Sequence, residues 1–176
     1  VEEGEGEGEK VDSHSISDVD ETIIISISSL TGQDVSIGTS ATVTITDNES
    51  VPSISLSSSA SSIAENSGSS ITLTATSSII SSAAVEVSLS ASGTSTSGTD
   101  YGAISSITIP AGSTTATASF TPTDDSVYEG ASETAIFDIS SVSGGSAVEN
   151  GTQQVTLTIT ENESAPTVTL STSASS

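Results

Sequence analysis

Short runs in which Ile, Val or Leu alternates with Ser or Thr recur along the chain, as in Ser53-Ile-Ser-Leu-Ser57, Ile71-Thr-Leu-Thr-Ala-Thr76 and Val155-Thr-Leu-Thr-Ile-Thr160. A period of two belongs to a strand with one buried face. Ile and Val, which outnumber Leu 31 to 6, suit the pleated backbone. Between 51 and 164 the pattern predicts seven strands, at 51–57, 71–76, 84–90, 104–109, 115–121, 133–140 and 154–160. Their inward face carries Ile54, Leu56, Ile71, Leu73, Val85, Val87, Leu89, Ile107, Ile109, Ala116, Ala118, Phe120, Phe137, Ile139, Val155, Leu157 and Ile159. With no helical period between such short strands, the expected fold is all-β: an immunoglobulin-like antiparallel Greek-key β-sandwich. Pro110-Ala-Gly112 reads as the turn of a hairpin joining the fourth and fifth strands.

The pattern also repeats. Val51-Pro-Ser-Ile-Ser-Leu-Ser-Ser-Ser-Ala-Ser-Ser62 returns as Ala165-Pro-Thr-Val-Thr-Leu-Ser-Thr-Ser-Ala-Ser-Ser176, and Thr42-Val-Thr-Ile-Thr-Asp-Asn-Glu-Ser50 as Thr156-Leu-Thr-Ile-Thr-Glu-Asn-Glu-Ser164. Glu21-Thr22 before Ile23, Ile25 and Ile27 likewise matches Glu133-Thr134 before Ala135, Phe137 and Ile139. Repetition at this spacing is the mark of a tandem array. The expected organisation is the closing part of one repeat at 1–50, a complete repeat at 51–164 and the first strand of a third at 165–176. The chain opens on Val1 without a charged-then-apolar leader and is read as a piece of a longer protein. The Glu-Gly alternation from Glu3 to Glu9 is poor strand material and is read as frayed.

Composition sharpens this picture. Ser and Thr make up 69 of 176 residues, while Leu, Ile, Val and Phe together make up only 39, close to the level at which chains stay disordered. The two-residue period argues for order, and much of the Ser and Thr is then strand surface. The net charge is -22, with Lys10 the sole base, which leaves no positive surface for nucleic acid or acidic lipid. No apolar run is long enough to span a bilayer. Without cysteine there are no disulfides or thiolate metal sites.

The acids of the complete repeat avoid the strand centres. Glu65 precedes the second strand and Asp100 the fourth; Asp124, Asp125 and Glu129 follow the fifth; Glu161 and Glu163 follow the seventh. Successive strands reverse direction, so loops before even strands and after odd strands share one end of the sandwich. All seven carboxylates therefore converge on one pole. Like charges there repel by about 1 kcal/mol per pair even at 4 Å in water, and no Lys or Arg is at hand. Ca²⁺ fits such a set, since it takes six to eight oxygens with loose geometry, whereas Mg²⁺ requires a tight octahedron. Zinc and copper would want His or Cys. The plain alternative is an acidic surface that serves solubility or salt tolerance, and convergence on one pole weighs against it.

These residues resemble the Calx-β repeat, found in sodium/calcium exchangers, in integrin β4 and in many bacterial surface proteins. The resemblance rests on Glu65-Asn-Ser-Gly68, Gly98-Thr-Asp-Tyr101, the Pro110-Ala-Gly112 turn, Asp124-Asp-Ser-Val-Tyr-Glu129, Glu133 before an apolar strand and the closing Thr-Ile-Thr-Glu-Asn-Glu163. It implies calcium-binding roles for Glu65, Asp100, Asp124, Asp125, Glu129, Glu161 and Glu163. Ser126, where some members carry a third aspartate, and the mixed Glu-Asn-Glu ending depart from the pattern. In the partial repeat Asp12-Ser-His-Ser-Ile-Ser17 stands where Asp124 to Glu129 stands in the complete one, although Asp47 and Glu49 remain at its end.

The function expected from the sequence is that of a calcium-binding structural repeat in an extracellular adhesin stalk or surface filament, braced by Ca²⁺ near the junctions between repeats. Its partners are neighbouring repeats or further copies of itself, with no nucleic acid and no membrane insertion. The rivals are a filament subunit that exchanges strands between partial repeats, a passive acidic spacer, and a calcium sensor. Nothing pairs His14 with a nucleophile, so no enzyme is expected. Tyr101 and Tyr128 are assigned to packing, and Asn48, Asn150 and Asn162 each open an Asn-x-Ser/Thr glycosylation pattern.

Overall fold

In the computed structural model, residues 16–17, 20–26, 40–46, 50–130 and 132–173 are described, and Glu3 to Glu9, Lys10, Asp12, His14, Asp47, Asn48 and Glu49 lie outside them. The alternating runs become strands. In chain order they are β1 (Ile16–Ser17), β2 (Glu21–Ile25), β3 (Ala41–Ile45), β4 (Ser53–Ser58), β5 (Ser62–Ala64), β6 (Ile71–Ser77), β7 (Ile80–Ser81), β8 (Val85–Gly93), β9 (Ser106–Ile109), β10 (Thr115–Phe120), β11 (Ser132–Ser143), β12 (Val148–Glu149) and β13 (Gln154–Thr160). One sheet has the order β10-β6-β4-β12 and the facing sheet the order β5-β13-β11-β8-β9. The architecture is an all-β sandwich of immunoglobulin-like Greek-key form. Among the described residues no helix is long and apolar enough to cross a membrane.

The core follows the alternation. Ile54, Leu73, Val87, Phe137 and Leu157 are fully buried between the sheets, and Ser and Thr take the alternate positions. Ala116 and Ala118, expected inside, are only half-buried, because β10 is the edge of its sheet and its inner face meets the rim of the core. Among the described residues, the hydrophobic core cluster gains three members outside the expected set: Ala75, Ala135 and Tyr101. Tyr101 reaches the core from a loop, its ring 5.0 Å from Phe120 and 5.8 Å from Phe137, which are themselves 5.9 Å apart. Tilted and edge-on contacts of this kind add to the apolar burial of the rings.

Two expectations are corrected. The Pro110-Ala-Gly112 turn does not close a hairpin: β9 pairs with β8 in one sheet and β10 with β6 in the other. Gly112 N donates instead to Ser81 O at 2.9 Å, and the turn carries the chain across the closed side of the sandwich. The sheets are also not wholly antiparallel, since β5 lies parallel to β13 and β12 parallel to β4. The first strand thereby divides, β4 joining one sheet and β5 the other, and each sheet gains a short cover for an edge.

β2 and β3 form a separate antiparallel ribbon, and β1 lies parallel to β7. Residues 165–173 take no strand pairing and leave Val168 and Leu170 in solvent. Where β8 meets β11, Gly93 has φ +116, and a Cβ added there would lie 2.1 Å from Thr134 O. Neither the backbone nor a neighbouring carbonyl can yield that space cheaply. Gly93→Ala is expected to lower the urea midpoint by the equivalent of about 1–3 kcal/mol; an unchanged midpoint would show that β8 and β11 can separate there at no cost.

Candidate metal centre

Four chain segments bring the acidic pole together. Glu65 begins a 3-10 turn (Glu65–Ser67) that ends on left-handed Gly68, with φ 63. The residue is only 5% exposed, and its Oε1 accepts the Asp125 N–H at 3.2 Å. Asp100 is held from two sides: its Oδ2 accepts the Thr96 N–H, and its carbonyl accepts the Thr123 N–H at 2.8 Å. The next residue is the core-bound Tyr101, so aromatic packing fixes the loop that presents Asp100. The acidic loop then wraps on carboxylates, with Val127 N donating to Asp125 Oδ1 at 2.6 Å and Glu129 N to Glu161 Oε2 at 2.7 Å.

Two carboxylate triads result, Glu65 with Glu161 and Glu163, and Asp100 with Glu129 and Glu133; within each, one oxygen per residue lies within 4.8 Å of the others. Glu65, Glu129, Glu133 and Glu161 line one cleft together with Gly130, Ser132 and Ile159, so the triads are neighbours. Five of the seven acids singled out in the sequence fall in these triads. Asp124 and Asp125 do not: Asp124 is exposed and acts on Glu163 only through its charge, and Asp125 serves as a backbone partner for Glu65 and Val127. Glu133, which the sequence marked only as a strand opener, joins the second triad. Its signal lay in phase, because Glu133 shares the inward face of β11 with Ala135 and Phe137 and stands opposite Ile159.

The electrostatics are those of carboxylates forced together. Burial first, then the Asp100 charge and a hydrogen bond shared with Asp100, push Glu133 up to about 7. A hydrogen bond shared with Glu161, then burial, pushes Glu163 up to about 7. Glu161 is pulled down to about 2, chiefly by the Glu129 N–H and then by bonds from Glu163. Burial also raises Glu65 and Glu129, the Asp125 N–H partly offsetting the rise at Glu65. Glu163 Oε1 accepts from Asn162 Nδ2 at 2.8 Å, while its Oε2 is buried with no donor. Two carboxylates in contact need a proton or a cation between them, and a buried oxygen without a donor carries the same requirement. The donor set is all hard oxygen with no nitrogen or sulfur, which fits Ca²⁺.

No family model matches this chain, and no curated relative does. Among solved structures it is similar to the crystal structure of CBD12 from CALX1.2, with a TM-score of 0.47 and 21% identity over 56% of this chain and 40% of that one. It is also similar to the crystal structure of the apo-form Calx CBD1 domain, with a TM-score of 0.48 and 20% identity over 64% of this chain and 98% of that domain.

Proposed function

We propose that this chain is a calcium-binding structural repeat of an extracellular stalk or surface filament, in which Ca²⁺ braces the acidic end of the sandwich. The observation that carries this reading is the pair of adjacent carboxylate triads, with the Glu163 oxygen buried and unpartnered, in a chain whose sole base is Lys10. Glu65, Asp100, Glu129, Glu133, Glu161 and Glu163 would hold the metal. Bound there, Ca²⁺ supplies positive charge that offsets their mutual repulsion. The residues do the rest. Glu65 ties the 3-10 turn to the acidic loop, Asp100 ties that loop to the aromatic core, and Glu161 ties it to the end of β13.

Mechanical coupling rests on position. Glu161 and Glu163 stand between β13 and the segment that begins at Ala165-Pro166. Holding both against Glu65 fixes the exit direction of the chain, and releasing them frees it to bend. A surface stalk would profit from this, because millimolar external calcium saturates even a modest site. The test is a circular-dichroism melt of the whole chain after metal removal, with calcium, with magnesium, and with sodium chloride at matched ionic strength. Calcium alone is expected to raise the midpoint, and Glu129→Gln with Glu133→Gln to remove most of the rise. An equal rise in magnesium or salt would make the pole a solvated acidic surface and the repeat a passive spacer.

A further inference from the structure

The fold guards one side of the sandwich and leaves the other open. On the guarded side the sheets end in β12 and β5, two and three residues long, with Glu149 in β12 and Glu65 following β5. Short edges beside charge discourage further pairing. The opposite side ends in β10 and β9, which adjoin one another across the sandwich. β10 keeps an unbroken register with β6 from Thr115 to Phe120, and none of its residues is charged or a proline. Both edges lie within 101–123, the longest stretch without an acid or a base in a chain of charge -22.

The backbone of β10 alternates between its two sides. Ser77 N donates to Thr114 O at 2.8 Å, so position 114 bonds to β6, and the antiparallel ladder then turns Ala116, Ala118 and Phe120 to β6 as well. Thr115, Thr117 and Ser119 point their N–H and C=O groups away from β6, where no described strand pairs with them. Ala116 and Ala118 are also only half-buried, because the sheet stops there. We propose that β10 pairs antiparallel with β10 of a second copy, Thr117 opposite the partner's Thr117 and Ala116 opposite the partner's Ala118, so that one sheet runs through both copies. Such a pair is self-complementary about a two-fold axis. The alanines suit the closely spaced positions that exchange no hydrogen bonds, and each gains cover it lacks. Direction follows from charge. β10 runs toward the acidic pole, since the acidic loop follows Phe120. An antiparallel partner therefore sets its own acidic pole at the far end, whereas a parallel one would bring the two poles side by side.

One strand pair is a small interface, so association belongs at the weak end, with Kd between roughly 10 µM and 1 mM. Sedimentation velocity of the whole chain over that range is expected to show dimers that grow no further, more of them at higher salt, and equally with calcium and after metal removal. Amide hydrogen exchange reads the edge itself. Thr115, Thr117 and Ser119 are expected to exchange fast when dilute and to gain protection as dimers form, while Ala116 and Ala118 stay protected throughout. Thr117→Glu sets two carboxylates opposite one another and is expected to weaken association about tenfold or more. Thr117→Pro is expected to do the same, since the N–H it removes points away from β6 and takes no part in the fold. Ser57→Glu adds the same charge to the same sheet face two strands from the edge, and is expected to change association by no more than about twofold. Should the proline variant fold poorly, Thr117→Glu still decides, because Thr117 is exposed. A chain monomeric throughout, association that survives Thr117→Glu, or dimers that leave the Thr115, Thr117 and Ser119 amides unprotected would overturn the proposal. So would association confined to calcium, which would assign it to the acidic pole.

Discussion

Stripped of divalent cations, the protein is expected to melt at progressively lower temperature as pH rises from about 4.5 to 7.5, and saturating calcium is expected to remove that slope and lift the whole curve. Glu133 and Glu163 titrate near 4.5 when unfolded and are pushed up to about 7 in the fold. Between those values the native state holds protons that the unfolded state has lost, so stability is full below about 4.5 and drains away as pH climbs to 7. The upward shifts of Glu65 and Glu129 act in the same direction. Glu161, pulled down to about 2, acts oppositely, its contribution being lost as pH falls from about 4.5 toward 2. The metal-free optimum therefore lies near pH 4.5, where shared protons separate the carboxylates.

Calcium is expected to displace those protons at neutral pH, and binding should release acid into a weakly buffered solution. At a hundredfold excess over Kd the gain is about 2.7 kcal/mol, which for a domain of this size raises the midpoint by roughly 10 °C. Glu133→Gln is expected to flatten the metal-free slope, because its amide carries no charge at any pH, and to reduce the calcium response with it. A metal-free midpoint that rises between pH 5 and 7 would show that the triads are solvated and uncoupled, and would sink the ion-braced reading.

How far the sequence foretold this site depends on what each signal measures. Strand parity placed Glu65, Asp100, Glu129, Glu161 and Glu163 at one pole because it needs only the order of reversals, which survived the correction at Pro110. It gave Asp124 and Asp125 the same standing as the others, since parity places a loop and is blind to which of its side chains turn inward. Glu133 needed the other signal, the phase of alternation, which puts an acid on the face of Phe137. The two-residue period found the cores of β4, β6, β8, β11 and β13 but missed Tyr101, whose burial comes from a loop crossing the end of the sandwich. The Pro110 turn failed for a related reason. A hairpin turn and a cross-sheet turn share their local residues, and only the partners of β9 and β10 tell them apart. The parallel pairings of β5 and β12 depend on two or three residues each, too few to leave a pattern.

Tyr101→Ala is expected to be the most damaging single change outside the strands, lowering stability by about 3–5 kcal/mol. The ring is 1% exposed and touches both Phe120 and Phe137, so truncation leaves a cavity bounded by two aromatics that cannot close upon it. A domain of this kind holds roughly 5–15 kcal/mol in all, so the variant should unfold at a far lower urea concentration even in saturating calcium. The damage should also reach the pole. The Tyr101 backbone bridges to Ser97 and to Pro122, the residue before Thr123, whose N–H Asp100 accepts, and the buried ring holds that stretch against the core. Once that anchor is gone, Asp100 and the start of the acidic loop are no longer held in register with Glu133, and calcium affinity at a temperature where the variant remains folded should fall. Tyr101→Phe separates the two effects. It keeps the ring and loses only the hydroxyl bond to Ser97, worth about 1 kcal/mol, and should retain the calcium response. If Tyr101→Ala costs less than about 1 kcal/mol, or if it lowers stability while leaving calcium affinity at the native value, the aromatic cluster does not position the metal ligands and the two halves of the site are independent.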